Sequence, residues 1–276
     1  MMDILGYTFF QHALVGSFFI SVVCGIVGSY IMARRLVFIS GGLTHASFGG
    51  LGLGFYLGIN PIYSALGFSI LSAFGIQWMS KKGNLRQDSA IGAFWALGMA
   101  LGIIFMFLTP GVTSDLSAYL FGSVLLITQQ DIIFAGGLAI LLTIGCFVYF
   151  KPVLYTAFDR EFAQAKGLPV ARIENIMMII IAISIVASIR LIGIMLLMSM
   201  LTIPQMTANL FSSRLKNIIL LSIFFGIIAC FMGLLITASF NIPSGACIVL
   251  VQVLLFFLLK LMLSIPYFKG IKKGAA

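Results

Sequence analysis

Two histidines, four cysteines and seven carboxylates are the side chains of this 276-residue chain best suited to binding a metal or moving a proton. His45 lies well inside an uncharged run. A neutral imidazole there is a ligand for zinc, manganese or iron and needs no deprotonation near neutral pH. A histidine hydrogen-bonded to a neighbouring helix is the alternative for the same residue. His12, beside Gln11 at the edge of the first apolar run, reads as an interfacial residue. A single imidazole cannot fill a metal's coordination sphere, but a symmetric dimer would supply two. Water or carbonyl oxygens would then complete it.

The other candidates carry less chemistry. Asp3, Asp88, Asp115, Asp131, Asp159, Glu161 and Glu174 all fall in connections or at the ends of apolar runs, so no acidic residue marks an intramembrane proton relay. Cys24, Cys146, Cys230 and Cys247 lie within apolar runs and form no C-x-x-C pair, which makes them packing residues rather than zinc ligands or disulfides. Met195, Met198, Met200 and Met206 are read as space-filling side chains in preference to a copper site. In the same run Ser199 and Pro204 are singled out as pathway or hinge residues, because a proline there loosens the helix and frees a carbonyl. The chain has no G-x-x-x-x-G-K-[ST] loop and no H-E-x-x-H pair, so it brings neither a phosphate loop nor hydrolytic zinc chemistry. Energy for any uphill transport must come from elsewhere.

The most unusual stretch is 40–58, with seven glycines in nineteen residues. In an isolated soluble helix that would be costly, whereas in lipid small residues let helices approach closely. Gly50, Gly54 and Gly58 recur every four residues and are expected to share a packed face of the pathway.

These residues have to be placed by membrane helices. The chain is 61% apolar and 8% charged, against about 25% charged in soluble domains. Sixteen Lys and Arg against seven Asp and Glu give a net charge of +9. The basic residues cluster between uncharged runs, the pattern of the positive-inside rule and not of a nucleic-acid-binding face. Residues 1–11 hold Asp3 and no basic residue, so no cleaved secretory signal is expected. Uncharged runs at 13–32, 36–80 divided at Asn60-Pro61, 89–108, 132–150, 173–189, 191–213, and 217–259 divided at 241–245 predict about nine spans in a single transmembrane domain over 1–276. Under strict alternation one set of connections holds Arg34, Arg35, Lys81, Lys82, Arg86, Lys151, Arg160, Lys166, Arg172, Arg214, Lys216, Lys269, Lys272 and Lys273, and the other holds Arg190. The expectation is therefore an all-α, polytopic protein with its amino terminus outside and its carboxyl terminus in the cytoplasm. Residues 109–130 form the one long outer connection and hold an amphipathic stretch, 119–123, expected at the outer surface.

The long inner connection, 151–172, contains at about 155–168 a short helix of mixed polarity ended by Gly167 and Pro169. Here the sequence resembles the membrane subunits of metal-type ATP-binding-cassette importers, which take up zinc, manganese or iron. Their coupling helix has the pattern D-x-E-F-A-x-x-x-G-L, matched by Asp159, Glu161, Phe162, Ala163, Gly167 and Leu168. Arg34-Arg35-Leu36 with Leu43-Thr44-His45-Ala46, the Tyr-Leu-Phe-Gly-Ser run at 119–123, Gly193 to Ala208, and Pro243-Ser244-Gly245 resemble further motifs of that family, in the same order. One position departs: the family's aspartate four residues before the histidine is Gly41 here. A site with less negative charge leans toward zinc or ferrous iron over manganese.

The resemblance implies a permease that is not itself an enzyme and holds no tight cofactor, in a bacterial cytoplasmic membrane. Its partners would be a second copy, two cytoplasmic ATPase subunits that bind ATP, and an extracytoplasmic metal-binding protein, with no nucleic acid. The coupling residues would be Phe158, Asp159, Arg160, Glu161, Phe162, Ala163, Lys166 and Gly167, and the matched metal ligand His45. The competing readings are the same machinery carrying a metal chelate, and a passive channel or gradient-driven carrier working alone.

Overall fold

The computed structural model describes residues 7–83, 85–109, 122, 124–240 and 242–265. Of the amphipathic stretch expected at 119–123, all but Gly122 lies outside the described residues. Among the described residues there is no strand. The helices are α1 (Thr8–Ala33), α2 (Val37–Leu57), α3 (Pro61–Lys82), α4 (Gln87–Leu108), α5 (Gln129–Val148), α6 (Phe150–Phe158), α7 (Arg160–Ala165), α8 (Val170–Met200), α9 (Ile203–Ala208), α10 (Leu215–Phe240) and α11 (Ser244–Ser264), with a 3-10 turn at Val124–Leu126. Several of their ends are capped. Asn60 accepts a hydrogen bond from the Ile62 N–H at 3.0 Å ahead of Pro61, and Thr128 with Asp131 forms a capping box at the start of α5. Gly58 closes α2 in the left-handed conformation, φ +66°.

Seven helical segments are long and apolar enough to cross a membrane: 8–33, 61–80, 87–108, 129–148, 170–208, 215–240 and 244–264. Two differences from the nine expected runs have physical causes. The glycines, serines and His45 of α2 lower its hydropathy below that of its neighbours, although its length is sufficient. The runs expected at 173–189 and 191–213 are joined, because Arg190 lies within a helix and does not end it. The break comes instead at Gly193, where φ is +74° and ψ is 170°, a backbone conformation that side-chain-bearing residues rarely adopt.

The chain forms two compact units. One comprises Arg35–Leu120 and Lys151–Arg190. Within it α2 and α3 form an antiparallel hairpin. A Cβ on Gly54 would lie 2.6 Å from Pro61 Cα, and one on Gly50 would lie 2.6 Å from Ala65 Cα. Helix α4 lies along another side of α2 and runs parallel to it, Gly42 facing Ile91, Ala46 facing Gly98, and Gly52 facing Gly102. The helices can come this close because at least one member of each pair lacks a side chain. A bilayer core offers the backbone no water, so α2 stays helical despite its glycines.

The other unit comprises Met1–Arg34, Phe121–Phe150 and Leu191–Ala276. Its centre is α1 against α10. The Ser29 and Ser222 hydroxyls lie 3.4 Å apart, Gly25 faces Ile223 and Gly226 faces Ser21, so the two helices are antiparallel. Helix α11 returns along α10, with Gly233 against Ile248. Gly122 (φ +58°) seats directly on the backbone of Ile192 and Gly193.

Candidate functional site

His45 sits on the third turn of α2, half-buried in the first unit, between Thr44 and Ala46, which are fully buried. Its ring lies face to face with Trp95 of α4, centroids 4.2 Å apart and planes 14° from parallel. The close approach of Ala46 to Gly98 brings the two rings together, since Trp95 precedes Gly98 by about one turn. The imidazole Nδ1 is buried and has no hydrogen-bond partner among the described residues. The hydroxyls of Ser40, Thr44 and Ser47 donate instead to carbonyls of their own helix, Val37, Ser40 and Thr44 respectively. His45 thus brings an uncommitted nitrogen to this part of the chain. Among the described residues no three of His, Cys, Asp and Glu gather into a metal cluster.

The glycines separate into two roles. Gly50 and Gly54 form the α2–α3 crossing, whereas a Cβ added at Gly58 would meet nothing within 4 Å, and that residue serves as the turn. The expected common face of three therefore reduces to two. Beside this crossing Leu51, Ile62, Ala65, Val186, Ile189 and Arg190 line a small cleft. Its aliphatic walls and single guanidinium offer a cation no ligand.

In the other unit, Pro204 lies in the first turn of α9, and Ser199 is buried with its hydroxyl donating to the Leu196 carbonyl at 2.8 Å. Pro204 has no N–H to offer the Met200 carbonyl four residues earlier. Gln205 supplies the missing donor: its fully buried Nε2 donates to Met200 O at 3.1 Å and to Cys24 O of α1 at 2.7 Å. The carbonyl freed by the proline is thus satisfied internally. Sequence reasoning singled out the proline but missed the glutamine. The available signal was a polar amide next to a helix-breaking residue in a membrane run. Met195 and Met206 are exposed while Met200 is buried, so the four methionines do not converge.

The inner connection, expected as one helix over 155–168, is two short helices broken at Asp159. Asp159 takes an extended conformation and its carboxylate accepts from the Phe162 N–H at 2.9 Å, capping α7. At the other end Gly167 (φ +74°) closes a Schellman motif, its N–H on Gln164 O and the Leu168 N–H on Ala163 O. Ala163 is fully buried and Arg160 reaches Glu174 of α8 at 3.9 Å. Phe158 and Phe162 remain exposed at 61% and 43%, with Glu161 and Lys166 also outward. Tyr155 packs edge-on against Phe162, and the Lys166 ammonium lies 5.6 Å from the same ring. Short, capped at both ends and tied to α8, α7 offers one aromatic ring, Phe162, and both signs of charge to a partner surface, next to the exposed Phe158 at the end of α6.

Comparison with known proteins identifies the family. A family model described as the ABC 3 transport family matches residues 6–263. The manganese transport system membrane protein MntC of Halalkalibacterium halodurans is 30% identical over 256 residues, covering 93% of this chain and 88% of that protein. The manganese import system permease protein ScaB of Streptococcus gordonii is 35% identical over 250 residues, covering 91% and 90%. A solved structure of PsaBC from Streptococcus pneumoniae in complex with Fab contains a chain that superposes with a TM-score of 0.84 at 31% identity, covering 94% of this chain and 93% of that one. The match runs through all of the helices described above, and the chain belongs to the ABC 3 transport family as the multi-pass membrane permease of a bacterial metal-type ATP-binding-cassette importer.

Proposed function

We propose that two copies of this chain enclose a pathway for a divalent transition metal, with His45 of each copy as a ligand. An extracytoplasmic protein delivers the ion, and two ATPase subunits grip the segment from Phe158 to Leu168. The observation that carries the reading is the α6–α7 corner, where Phe158 ends α6 exposed and the caps and buried Ala163 of α7 hold Glu161 and Phe162 outward as a knob. A carrier working alone has no evident use for such a surface. ATP hydrolysis belongs to the partner, and nucleotide-driven dimerisation there would move α7 and, through α8, the spans. Ser199 and Pro204, beside the break after Met200, are hinge candidates in the same scheme. Gly50, Gly54 and Gly58 shape the α2–α3 hairpin that presents His45.

Nine crossings with an outer amino terminus are part of this reading. The antiparallel pairing of α1 with α10 supports it. If α2, α3, α4 and α5 each cross once, that pairing calls for an even number of further crossings before α10, which one on either side of Gly193 would supply. The distribution of Lys and Arg then places the carboxyl terminus inside.

Two cargo readings have separate support. Gly41 in place of a carboxylate favours zinc, a softer ion than manganese, while the relatives named above are manganese permeases. Uptake of radioactive manganese and zinc into proteoliposomes holding the whole importer, each with the other as competitor, separates them. In the same vesicles, replacing Glu161 and Phe162 together by Ala should abolish uptake while the ATPase still hydrolyses ATP. Metal accumulation by vesicles containing this chain alone would overturn the proposal.

A further inference from the structure

A histidine that binds a metal through one ring nitrogen is ordinarily aimed by a hydrogen bond at the other, donated to a carboxylate or a backbone carbonyl. His45 has no such bond at Nδ1 among the described residues. What fixes its ring plane is the indole of Trp95, 4.2 Å away and 14° from parallel. The two rings are held by backbone geometry. Gly98 has no side chain, and a Cβ there would stand 2.4 Å from Ala46 Cα, so α4 cannot withdraw from α2 without losing the crossing. An indole face is electron-rich and prefers an electron-poor partner. An imidazole is neutral when empty and becomes electron-poor when a divalent cation takes its lone pair. The stack is therefore stronger with the ion bound than without it.

We propose that Trp95 is a positioning and affinity-setting residue for the transported cation, holding the His45 imidazole in one orientation and favouring its cation-bound state. This rests on the reading of His45 as a ligand, and the experiment separates the two. The chain has two tryptophans, Trp78 and Trp95, so W78F leaves Trp95 as the sole indole reporter. The full-length W78F protein in lipid nanodiscs is titrated with cobalt(II), a paramagnetic divalent ion that quenches an adjacent indole, and binding is followed in parallel with radioactive cobalt.

The expected result is saturable quenching that tracks binding in W78F and is lost with the binding in W78F/H45A. In the Trp78-bearing protein, W95L weakens cobalt binding about ten-fold and W95F restores most of it, with the thermal unfolding midpoint of both variants held near that of the parent. Binding that is lost in W78F/H45A but never quenches Trp95 would overturn the role of Trp95 and leave His45 as a ligand. Parental affinity in W95L would overturn it equally, as would a loss of binding in W95L matched by loss of thermal stability. Binding unchanged by H45A would remove the ligand reading itself, and this inference with it.

Discussion

Gly98 and Gly67 are both helical glycines, yet a methyl group would meet different surroundings at each. At Gly98 it would press on the backbone of Ala46, 2.4 Å from Cα and 2.7 Å from the carbonyl oxygen, whereas at Gly67 nothing lies within 4 Å. Backbone cannot yield as a flexible side chain can. Gly98→Ala is therefore expected to destabilise the protein by about 1–3 kcal/mol, and Gly67→Ala to be neutral or stabilising by up to about 1 kcal/mol. Thermal unfolding in one detergent distinguishes them, and a Gly98 variant as stable as the parent would refute the crossing. At Gln205 the relevant term is hydrogen bonding. Replacement by Leu leaves the Met200 carbonyl without its Nε2 donor and removes the link to Cys24, a loss of about 1–3 kcal/mol by the cost of an unsatisfied buried group. The same unfolding assay reports it.

At the scale of elements, α7 is a six-residue helix, too short to be stable in water by propensity alone. Its persistence depends on the Asp159 cap, the Schellman closure at Gly167 and the burial of Ala163. The Arg160–Glu174 pair adds little, because Arg160 is half exposed and 3.9 Å is a long ion-pair distance. Gly167→Ala places a Cβ in the left-handed region at a cost of about 1 kcal/mol. It should lower ATP-driven uptake several-fold while the global unfolding midpoint changes by little, since α7 lies on the surface. Equal loss of uptake and of global stability would instead make Gly167 a core residue. Gly193 plays the corresponding part within α8, where positive φ turns one apolar run into two arms.

At the scale of the molecule, alternation makes claims about sides. Tyr63, at the α2–α3 turn, and Phe158, at the end of α6, are both exposed. On the proposed topology they face opposite compartments. In a C146S background, to remove the least buried native thiol, Tyr63→Cys should react with an impermeant maleimide from outside intact cells and Phe158→Cys only after the membrane is opened. Labelling of both from one side would reverse the count of crossings.

Composition and the spacing of charges determined that this is a membrane protein of helices, because a bilayer core accepts only internally bonded backbone and excludes charge; the same spacing marked α6–α7 as a connection between apolar runs. His45 stood out because a polar ring in an apolar run is costly unless it is used. Tertiary structure decided what those residues meet. The partner of His45 is Trp95, fifty positions away in sequence and adjacent only because Gly98 lets α4 touch α2. The donor that replaces the missing proline N–H is a side chain, and a side chain's reach is not written in hydropathy. The end of the sixth apolar run fell at Gly193 and not at Arg190 because a long charged side chain can reach outward while the helix continues, whereas a positive φ breaks the helix at that residue.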